Sequence, residues 1–207
     1  MINEALDFNS ESNNTESKIH GTPGNEGYYL DENGVVIIED IAYSRNRVKK
    51  SFSAVRKEVK NYLKQLNGVR VIIKADNRLV IFDSNTAKEY MGSVDTELST
   101  RDEKRNKANL TRGIIRIVER ASNPRWRPNT KAKHVTDAKR GFTYYEVRFG
   151  FLADGTTYYY KGLLIIRMDA DGKDYVYDVT SIQHISTKRE TNHSATSQAN
   201  QSRSVSL

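Results

Sequence analysis

The sequence predicts an α+β protein in which two long helices and short hairpins are followed by a C-terminal antiparallel β-meander. Two observations predict this order. Apolar residues recur at three- and four-residue spacing in two long segments before residue 122, which is the period of an amphipathic helix. Beyond residue 141, three strand-like runs are separated by the turn sequences Ala153-Asp154-Gly155 and Asp169-Ala170-Asp171-Gly172.

Composition divides the 207 residues into one domain and two tails. Residues 1–26 are rich in Asn, Ser and acidic side chains, and residues 186–207 contain almost no large apolar side chain. Such segments cannot bury enough apolar surface to offset the entropy lost on ordering. We therefore expect disordered tails over residues 1–26 and 186–207 and a single α+β domain over residues 27–185.

The first part of this domain contains two hairpins and the first helix. Asn33-Gly34 and Asp76-Asn77 lie between β-rich runs, as turn residues do. Between them, an apolar stripe over residues 48–66 predicts a helix, with Ser44 as a candidate N-cap and Gly68 after its end. The other side of this helix is rich in Lys and Arg, so it either faces nucleic acid or is a solvated surface.

The second helix is predicted from a capping box and an apolar stripe. Thr100 is followed three residues later by Glu103, and apolar residues recur over residues 110–121 before Pro124. Gly113 lies inside the stripe. A glycine there costs about 1 kcal/mol relative to alanine, so we expect close packing at that position.

A basic segment over residues 122–141 is predicted to be an extended loop, because it contains Pro124 and Pro128. Its candidate nucleic-acid-binding residues are Arg125, Trp126, Arg127, Lys131, Lys133, Lys139 and Arg140. Cations would contact phosphates, and the only tryptophan of the chain would stack on a base. In the alternative interpretation, Trp126 closes the core beneath a solvated loop.

The formal net charge of +7 favours an anionic partner, although a lysine-rich surface also serves solubility. The chain has no cysteine, which excludes disulfides and thiolate zinc sites, and its four histidines form no spaced ligand set. We therefore expect neither a metal nor another cofactor. No apolar run has transmembrane length and no signal peptide is visible. These features predict a cytoplasmic protein with no membrane partner, unless a dedicated system delivers it into a host cell.

The meander is predicted to have one apolar and one polar face, because strand side chains alternate. Its first strand sends four residues to the core: Tyr145, Val147, Phe149 and Phe151. Tyr144, Glu146 and Arg148 then lie on the opposite face. The later strands can add further polar residues to that face: Lys161, Arg167, Asp178, Thr180 and His184.

These residue types fit cleavage of RNA without a metal, in which the 2′-hydroxyl attacks the neighbouring phosphorus. The candidate roles are a base (Glu146), a base or acid (His134 or His184), phosphate clamps (Arg148 and Lys161) and a hydrogen-bonding hydroxyl (Thr180). Other interpretations are open. Glu146 and Arg148 could pair with Arg167 and Asp178 across strands, and His184 could be an ordinary surface or packing histidine.

The order of these elements resembles the small domains associated with large polyvalent proteins of phages and other mobile elements. The resemblance covers about residues 28–185 and is clearest at Tyr144-Tyr145, Asp154-Gly155 and Tyr177-Asp178-Val179-Thr180. Several of those domains are similar in layout to the barnase, EndoU, colicin and RelE group of metal-independent ribonucleases. By this resemblance, the catalytic set comprises Glu146, Arg148, Lys161, Thr180 and one of His134 or His184.

Two functions are therefore expected. The first is a toxin-like mobile-element effector that acts on RNA as a metal-independent endoribonuclease. The alternative is a non-catalytic module that binds nucleic acid or a host protein as an inhibitor or accessory protein. An immunity protein would be a further partner of a toxin-like effector. A single concavity containing Glu146, Arg148, Lys161 and a histidine favours the enzyme, whereas dispersed or paired side chains favour the binding module.

Overall fold

The structure is a computed structural model that describes residues 27–39, 51–92, 101–130 and 138–189. The strands are β1 (Tyr28–Leu30), β2 (Val36–Ile38), β3 (Arg70–Ile73), β4 (Arg78–Ile81), β5 (Ser122–Arg127), β6 (Phe142–Ala153), β7 (Thr156–Met168) and β8 (Asp174–Arg189). The helices are α1 (Phe52–Gln65), α2 (Ser84–Gly92), α3 (Arg101–Leu110) and α4 (Ile114–Glu119), and a 3-10 turn (Thr111–Gly113) joins α3 to α4.

Some predictions concern positions outside these ranges. The tail over residues 1–26 lies outside the described residues, as do residues 190–207 of the second tail and the two expected helix caps, Ser44 and Thr100. Residues 186–189 belong to β8, which continues past the predicted domain end at residue 185. Helix α1 begins at Phe52, and its N-cap is Ser51, whose hydroxyl accepts a hydrogen bond from the Ala54 amide at 3.3 Å.

The predicted fold class is wrong, because the architecture is a curled mixed sheet and not two long helices followed by a separate meander. The eight strands follow the order β1-β2-β6-β7-β8-β4-β3, and β5 pairs with β6 beside this path. Two parallel pairings bring the early hairpins into the sheet: Val36 of β2 lies opposite Phe149 of β6, and Ile81 of β4 lies opposite Tyr175 of β8. Segments so far apart in sequence share no local signal of their pairing.

The prediction of a second long helix is also wrong, because a 3-10 turn separates this segment into α3 and α4. The expected close packing at Gly113 is confirmed. A Cβ atom there would lie 3.0 Å from Cγ1 of Val36 and 3.4 Å from Cγ1 of Ile38, so the backbone of the turn rests directly on β2. A side chain at this position would require the Val36 side chain to move by a few tenths of an ångström.

The helices cover one face of the sheet and enclose a single apolar core. Val59 and Leu63 of α1 are buried with Ile114 and Ile117 of α4 against the strands. The alternation predicted for β6 is confirmed, since four of its residues are at most 3% exposed: Tyr145, Val147, Phe149 and Phe151. Each large apolar side chain buried in this way contributes about 1.5–3 kcal/mol.

The opposite face of β6, β7 and β8 carries exposed and half-buried polar side chains. On β6 these are Tyr144, Glu146 and Arg148, and on β7 they include Lys161, which lies directly opposite Arg148. This polar face therefore contains three of the residues that the sequence singles out for chemistry, Glu146, Arg148 and Lys161. Within the described ranges, none of the helices combines the length and apolarity needed to cross a membrane.

Candidate nucleic-acid interface

The predicted basic loop begins as a strand. Residues 122–127 form β5, an edge strand paired antiparallel with β6, with Arg125 opposite Tyr144 and Arg127 opposite Phe142. The loop prediction overlooked this because Pro124 normally argues against a strand. A proline is tolerated at a sheet edge, where its missing N–H need not donate. The register shifts between Ser122 and Arg125, and Asn123 inside this bulge has a φ of 52°.

The β5 strand borders a groove on the polar face of the sheet. The groove has a volume of about 100 Å³ and is lined by Asn123, Arg125, Arg127, Tyr144, Glu146 and Leu163. Asn123 and Leu163 were not among the sequence candidates. The Asn-Pro dipeptide is typical of a turn, and Asn tolerates a positive φ. These two signals could have indicated the bulge at Asn123. Leu163 lies two residues from Lys161, so alternation alone puts both on one face.

The end of β5 is held close to the start of β6 at Gly141. Gly141 has a φ of 90°, and a Cβ atom there would lie 2.4 Å from the carbonyl oxygen of Arg127. Only glycine accommodates both the left-handed backbone and this approach. The position of the groove-lining arginines on β5 therefore depends on Gly141.

Glu146 is engaged with β5. Its Oε2 accepts a hydrogen bond from Nδ2 of Asn123 at 3.0 Å, and its Oε1 accepts one from Nη2 of Arg125 at 3.3 Å. The carboxylate is 41% exposed and the Arg125 side chain is 71% exposed, so the pair is at the surface. Exposed pairs of this kind contribute at most about 1 kcal/mol to stability. Glu146 thus holds Asn123 and Arg125 at the groove, and none of its hydrogen bonds among the described residues is to a histidine.

Arg148 and Lys161 form a cationic row next to the groove. They are directly opposite each other on β6 and β7, and both are exposed. The neutral Gln183 lies next to Lys161 on β8. Like charges directly opposite each other destabilise a sheet. In the part of the chain that the structure describes, no carboxylate lies within 4 Å of either cation. The row therefore concentrates positive charge that the described protein does not neutralise.

Arg127 adds a further cation to this face, and its guanidinium stacks on the Tyr144 ring. Its guanidinium carbon lies 5.2 Å from the centroid of the Tyr144 ring. This cation–π contact keeps the guanidinium over the aromatic ring at the mouth of the groove. Among the described residues, four cations thus lie on the same face as the Glu146 carboxylate and close to it in the strand register: Arg125, Arg127, Arg148 and Lys161.

Thr180 is on the same face but apart from Glu146. Glu146 lies opposite Leu163, and Leu163 lies opposite Thr180 on the next strand. Two inter-strand spacings separate the backbones of Glu146 and Thr180, which is roughly 10 Å. The apolar side chain of Leu163 occupies the position between them.

His184 is on the other face of the sheet. It lies opposite Tyr160, its ring is 5.4 Å from the Tyr160 ring, and its Nε2 is 3.0 Å from Oγ1 of Thr187. Tyr160 in turn stacks on the buried Phe149, so the sheet separates His184 from Glu146. The other histidine candidate, His134, lies outside the described residues. The expected catalytic group is therefore not assembled by the residues that the structure describes.

Trp126 also points away from the groove. It lies opposite the buried Thr143, 59% of its surface is exposed, and its Nε1–H donates to the carbonyl of Arg140 at 2.9 Å. An indole this exposed does not close the core, so that alternative interpretation is wrong. Stacking of Trp126 on a base stays a prediction, and the ring does not line the groove. The segment folds this way because Arg125 and Arg127 take one side of β5 and Trp126 takes the other.

Of the remaining basic candidates, those that the structure describes do not line the groove. Arg140 donates from Nε to the carbonyl of Asp169 and from Nη2 to Asp174 at 2.8 Å, so it fastens the β7–β8 turn. Lys139 is exposed. Lys131 and Lys133 lie outside the described residues.

The cross-strand pairing expected for Glu146 and Arg148 is wrong. Arg167 is buried and binds Asp83 and Asp169 through bonds of 2.8 and 2.7 Å. Asp178 is buried in an ion pair with a helix and not with the polar face of the sheet. Arg167 and Asp178 are therefore engaged away from Glu146 and Arg148, leaving the groove face predominantly basic.

Among the described residues, no group of three or more His, Asp and Glu side chains could hold a metal ion. Comparison of the chain with protein-family models, with curated proteins and with solved structures finds no match in any of the three. The resemblance to mobile-element domains and to metal-independent ribonucleases therefore stays a prediction.

Proposed function

We propose that the groove and the cationic row bind single-stranded nucleic acid, with RNA as the natural ligand. The observation that carries the proposal is the pair formed by Arg148 and Lys161, two exposed cations opposite each other with no described carboxylate within 4 Å. Such a pair costs stability in the free protein. A phosphate backbone would remove that cost by neutralising both charges and would release counterions on binding.

A single strand suits this surface better than a duplex. The groove is only about 100 Å³ and is bordered by the Tyr144 ring and the Arg127 guanidinium, both of which offer flat surfaces. A base must leave its duplex to reach such surfaces, and each stacked base contributes about 1–3 kcal/mol. The adjacent cationic row would then contact the phosphates on either side of that base.

The surface supports binding more than cleavage. Glu146 already accepts hydrogen bonds from Asn123 and Arg125, and His184 lies behind the sheet. Cleavage of RNA without a metal stays a prediction that requires His134 to reach this face. The proposed binding module needs neither histidine. A host protein or immunity partner likewise stays a prediction.

The proposal is tested by measuring fluorescence anisotropy of a labelled single-stranded RNA at several salt concentrations. With four phosphate contacts, the slope of log affinity against log salt should be about −3. The double variant Arg148→Gln/Lys161→Gln should weaken binding and make that slope shallower by about 1.4. A duplex of the same length should bind more weakly than the single strand.

The matched control is Lys57→Gln/Lys64→Gln on the exposed side of α1, which removes the same charge elsewhere. We expect the control to bind like the unmodified protein. Equal loss of affinity in both double variants would show that only net charge matters, and the proposed surface would be rejected. Mapping the RNA ends after incubation covers the enzymatic alternative, since a 2′,3′-cyclic phosphate end would identify cleavage.

A further inference from the structure

The groove contains a carboxylate in a place where phosphate binding does not need one. Glu146 is bordered by Arg125 and Arg127, and the cationic row begins two residues further along β6. A carboxylate repels phosphate, so this position within the binding surface suits a neutral group that donates hydrogen bonds. In RNA, such donors are the ribose 2′-hydroxyl and the N–H groups of the bases, and only a base edge carries two of them side by side.

The carboxylate retains the capacity to accept further hydrogen bonds. Asn123 donates to one oxygen and Arg125 donates to the other, whereas an ionised carboxylate has about four acceptor positions. The Glu146 side chain is 41% exposed and lines the groove. The two existing bonds also orient the carboxylate, so it would not have to be ordered when a base binds.

The Watson–Crick edges of the four RNA bases differ in whether they can donate hydrogen bonds to both oxygens of a carboxylate. Guanine presents two adjacent donors, N1–H and N2–H. Adenine and cytosine each present a donor beside an acceptor, and uracil presents one donor between two acceptors. Only guanine can therefore donate to both oxygens of one carboxylate without placing an acceptor against it.

We infer that this groove recognises an unpaired guanine, with Glu146 accepting from N1–H and N2–H while the base contacts Tyr144 and Leu163. The inference rests on the proposed function, because the neighbouring cations must hold the strand. Both side chains line the groove next to the carboxylate: Leu163 lies directly opposite Glu146 on β7, and Tyr144 precedes it by two residues on the same face of β6. Tyr144 supplies an aromatic surface and Leu163 an apolar one. A bidentate contact of this kind discriminates against other bases by about tenfold or more.

The experiment compares labelled oligouridine nonamers that carry guanine, inosine, adenine, cytosine or uracil at the central position. Inosine keeps N1–H and lacks the N2 amino group, so it removes one of the two donors. We expect the affinity order guanine, then inosine, then the other three, with guanine at least about tenfold above uracil.

The variant Glu146→Gln presents one acceptor and one donor in nearly the same volume. We expect it to lose the guanine preference, because all four bases have a donor beside an acceptor on this edge and can pair with an amide. The variant Arg148→Gln serves as the control. It should lower the affinity for every nonamer by a similar factor and leave the preference unchanged. Thermal melts of both variants check that they are folded.

The outcomes separate this inference from the proposed function. Salt-dependent binding of all five nonamers with equal affinity would overturn guanine recognition and leave the nucleic-acid surface standing. A preference for another base, or a guanine preference that survives in Glu146→Gln, would also overturn it. If no nonamer binds in a salt-dependent way, the proposed function itself fails, and guanine recognition fails with it.

Discussion

At the scale of single residues, some charged side chains of this protein are buried in ion pairs and others are exposed at the groove, and the two kinds affect stability differently. Lys107 of α3 and Asp178 of β8 are 1% and 2% exposed, and Nζ lies 2.6 Å from Oδ1. Lys107 also lies 4.8 Å from the Tyr90 ring centroid, and the Tyr90 hydroxyl donates to its carbonyl. Burial, together with the Asp178 charge, raises the pKa of Tyr90 well above its usual range, so its hydroxyl stays protonated. Charges at the groove, in contrast, remain in contact with water.

Removing one partner of the buried pair should be costly. We expect Lys107→Met to lower the free energy of unfolding by about 3–5 kcal/mol, because it leaves the Asp178 carboxylate buried without this cation. Lys74→Met is the matched control. Lys74 binds Glu119 at 2.8 Å but is 63% exposed, so its loss should cost less than about 1 kcal/mol. Urea unfolding measures both, and equal costs would contradict the distinction.

Glu119 should make stability depend on pH. Burial alone would raise the pKa of its carboxyl, but hydrogen bonds from Lys74 and Arg116 outweigh burial and hold that pKa below its ordinary value of 4.5. The unfolded chain therefore binds the proton more readily. The stabilisation is complete above the unfolded pKa and is lost as the pH falls through the folded one.

The comparison is between the unmodified protein and Glu119→Gln, with urea unfolding repeated from about pH 7 down to about pH 3. We expect the unmodified protein to be more stable at neutral pH and the difference to shrink as the pH falls. Titrations of other groups are common to both proteins and cancel in the difference. A difference that stays constant over this range would contradict the assigned ion pairs.

At the scale of elements, β5 is the strand on which the candidate site depends. Of the described strands it pairs with β6 alone, and all its residues are exposed, so little apolar burial holds it in place. Its end is set by the approach of Arg127 to Gly141 and by the bond from Trp126 to Arg140. Small changes at this contact should therefore move two of the groove arginines together.

Substitution of Gly141 tests this dependence. Gly155→Ala is the matched control, because Gly155 also has a positive φ, of 67°, but has nothing within 4 Å of an added Cβ. The control should cost about 1–2 kcal/mol from backbone strain alone. Gly141→Ala should cost more, since its Cβ would meet the Arg127 carbonyl, and it should also weaken RNA binding. Unchanged RNA affinity in Gly141→Ala would contradict the role of this contact.

At the scale of the whole molecule, the sheet joins segments that are distant in sequence. The β2 strand pairs with β6 at Val36 and Phe149, and β4 pairs with β8 at Ile81 and Tyr175. Loop-closure entropy must be overcome before such pairings stabilise anything. The molecule should therefore fold like a β-rich protein with mainly non-local contacts, although the described residues also form helices.

Folding kinetics provide the corresponding measurement. After dilution from denaturant, we expect the main refolding phase to take about milliseconds to seconds, as in proteins dominated by non-local strand pairing. Stopped-flow circular dichroism would follow it. Refolding within microseconds would instead indicate that local helical contacts dominate, against the observed topology.

The sequence predicted features that depend on neighbouring residues. Alternation from Tyr144 to Phe151 assigned the two faces of β6 correctly, Asn33-Gly34 and Asp76-Asn77 marked real hairpins, and Gly113 indicated close packing. These succeed because period and turn chemistry are local properties of the chain.

Only the tertiary structure decided which of these pieces meet. It joined the early hairpins to the meander, made residues 122–127 an edge strand, turned Trp126 and His184 away from the polar face and paired Glu146 with β5. The physical reason is that parallel pairing, bulges and ion pairs between distant elements are selected by packing of the whole sheet. The sequence alone is enough to predict a strand with a basic polar face. The groove beside that face exists only because the fold places β5 next to β6.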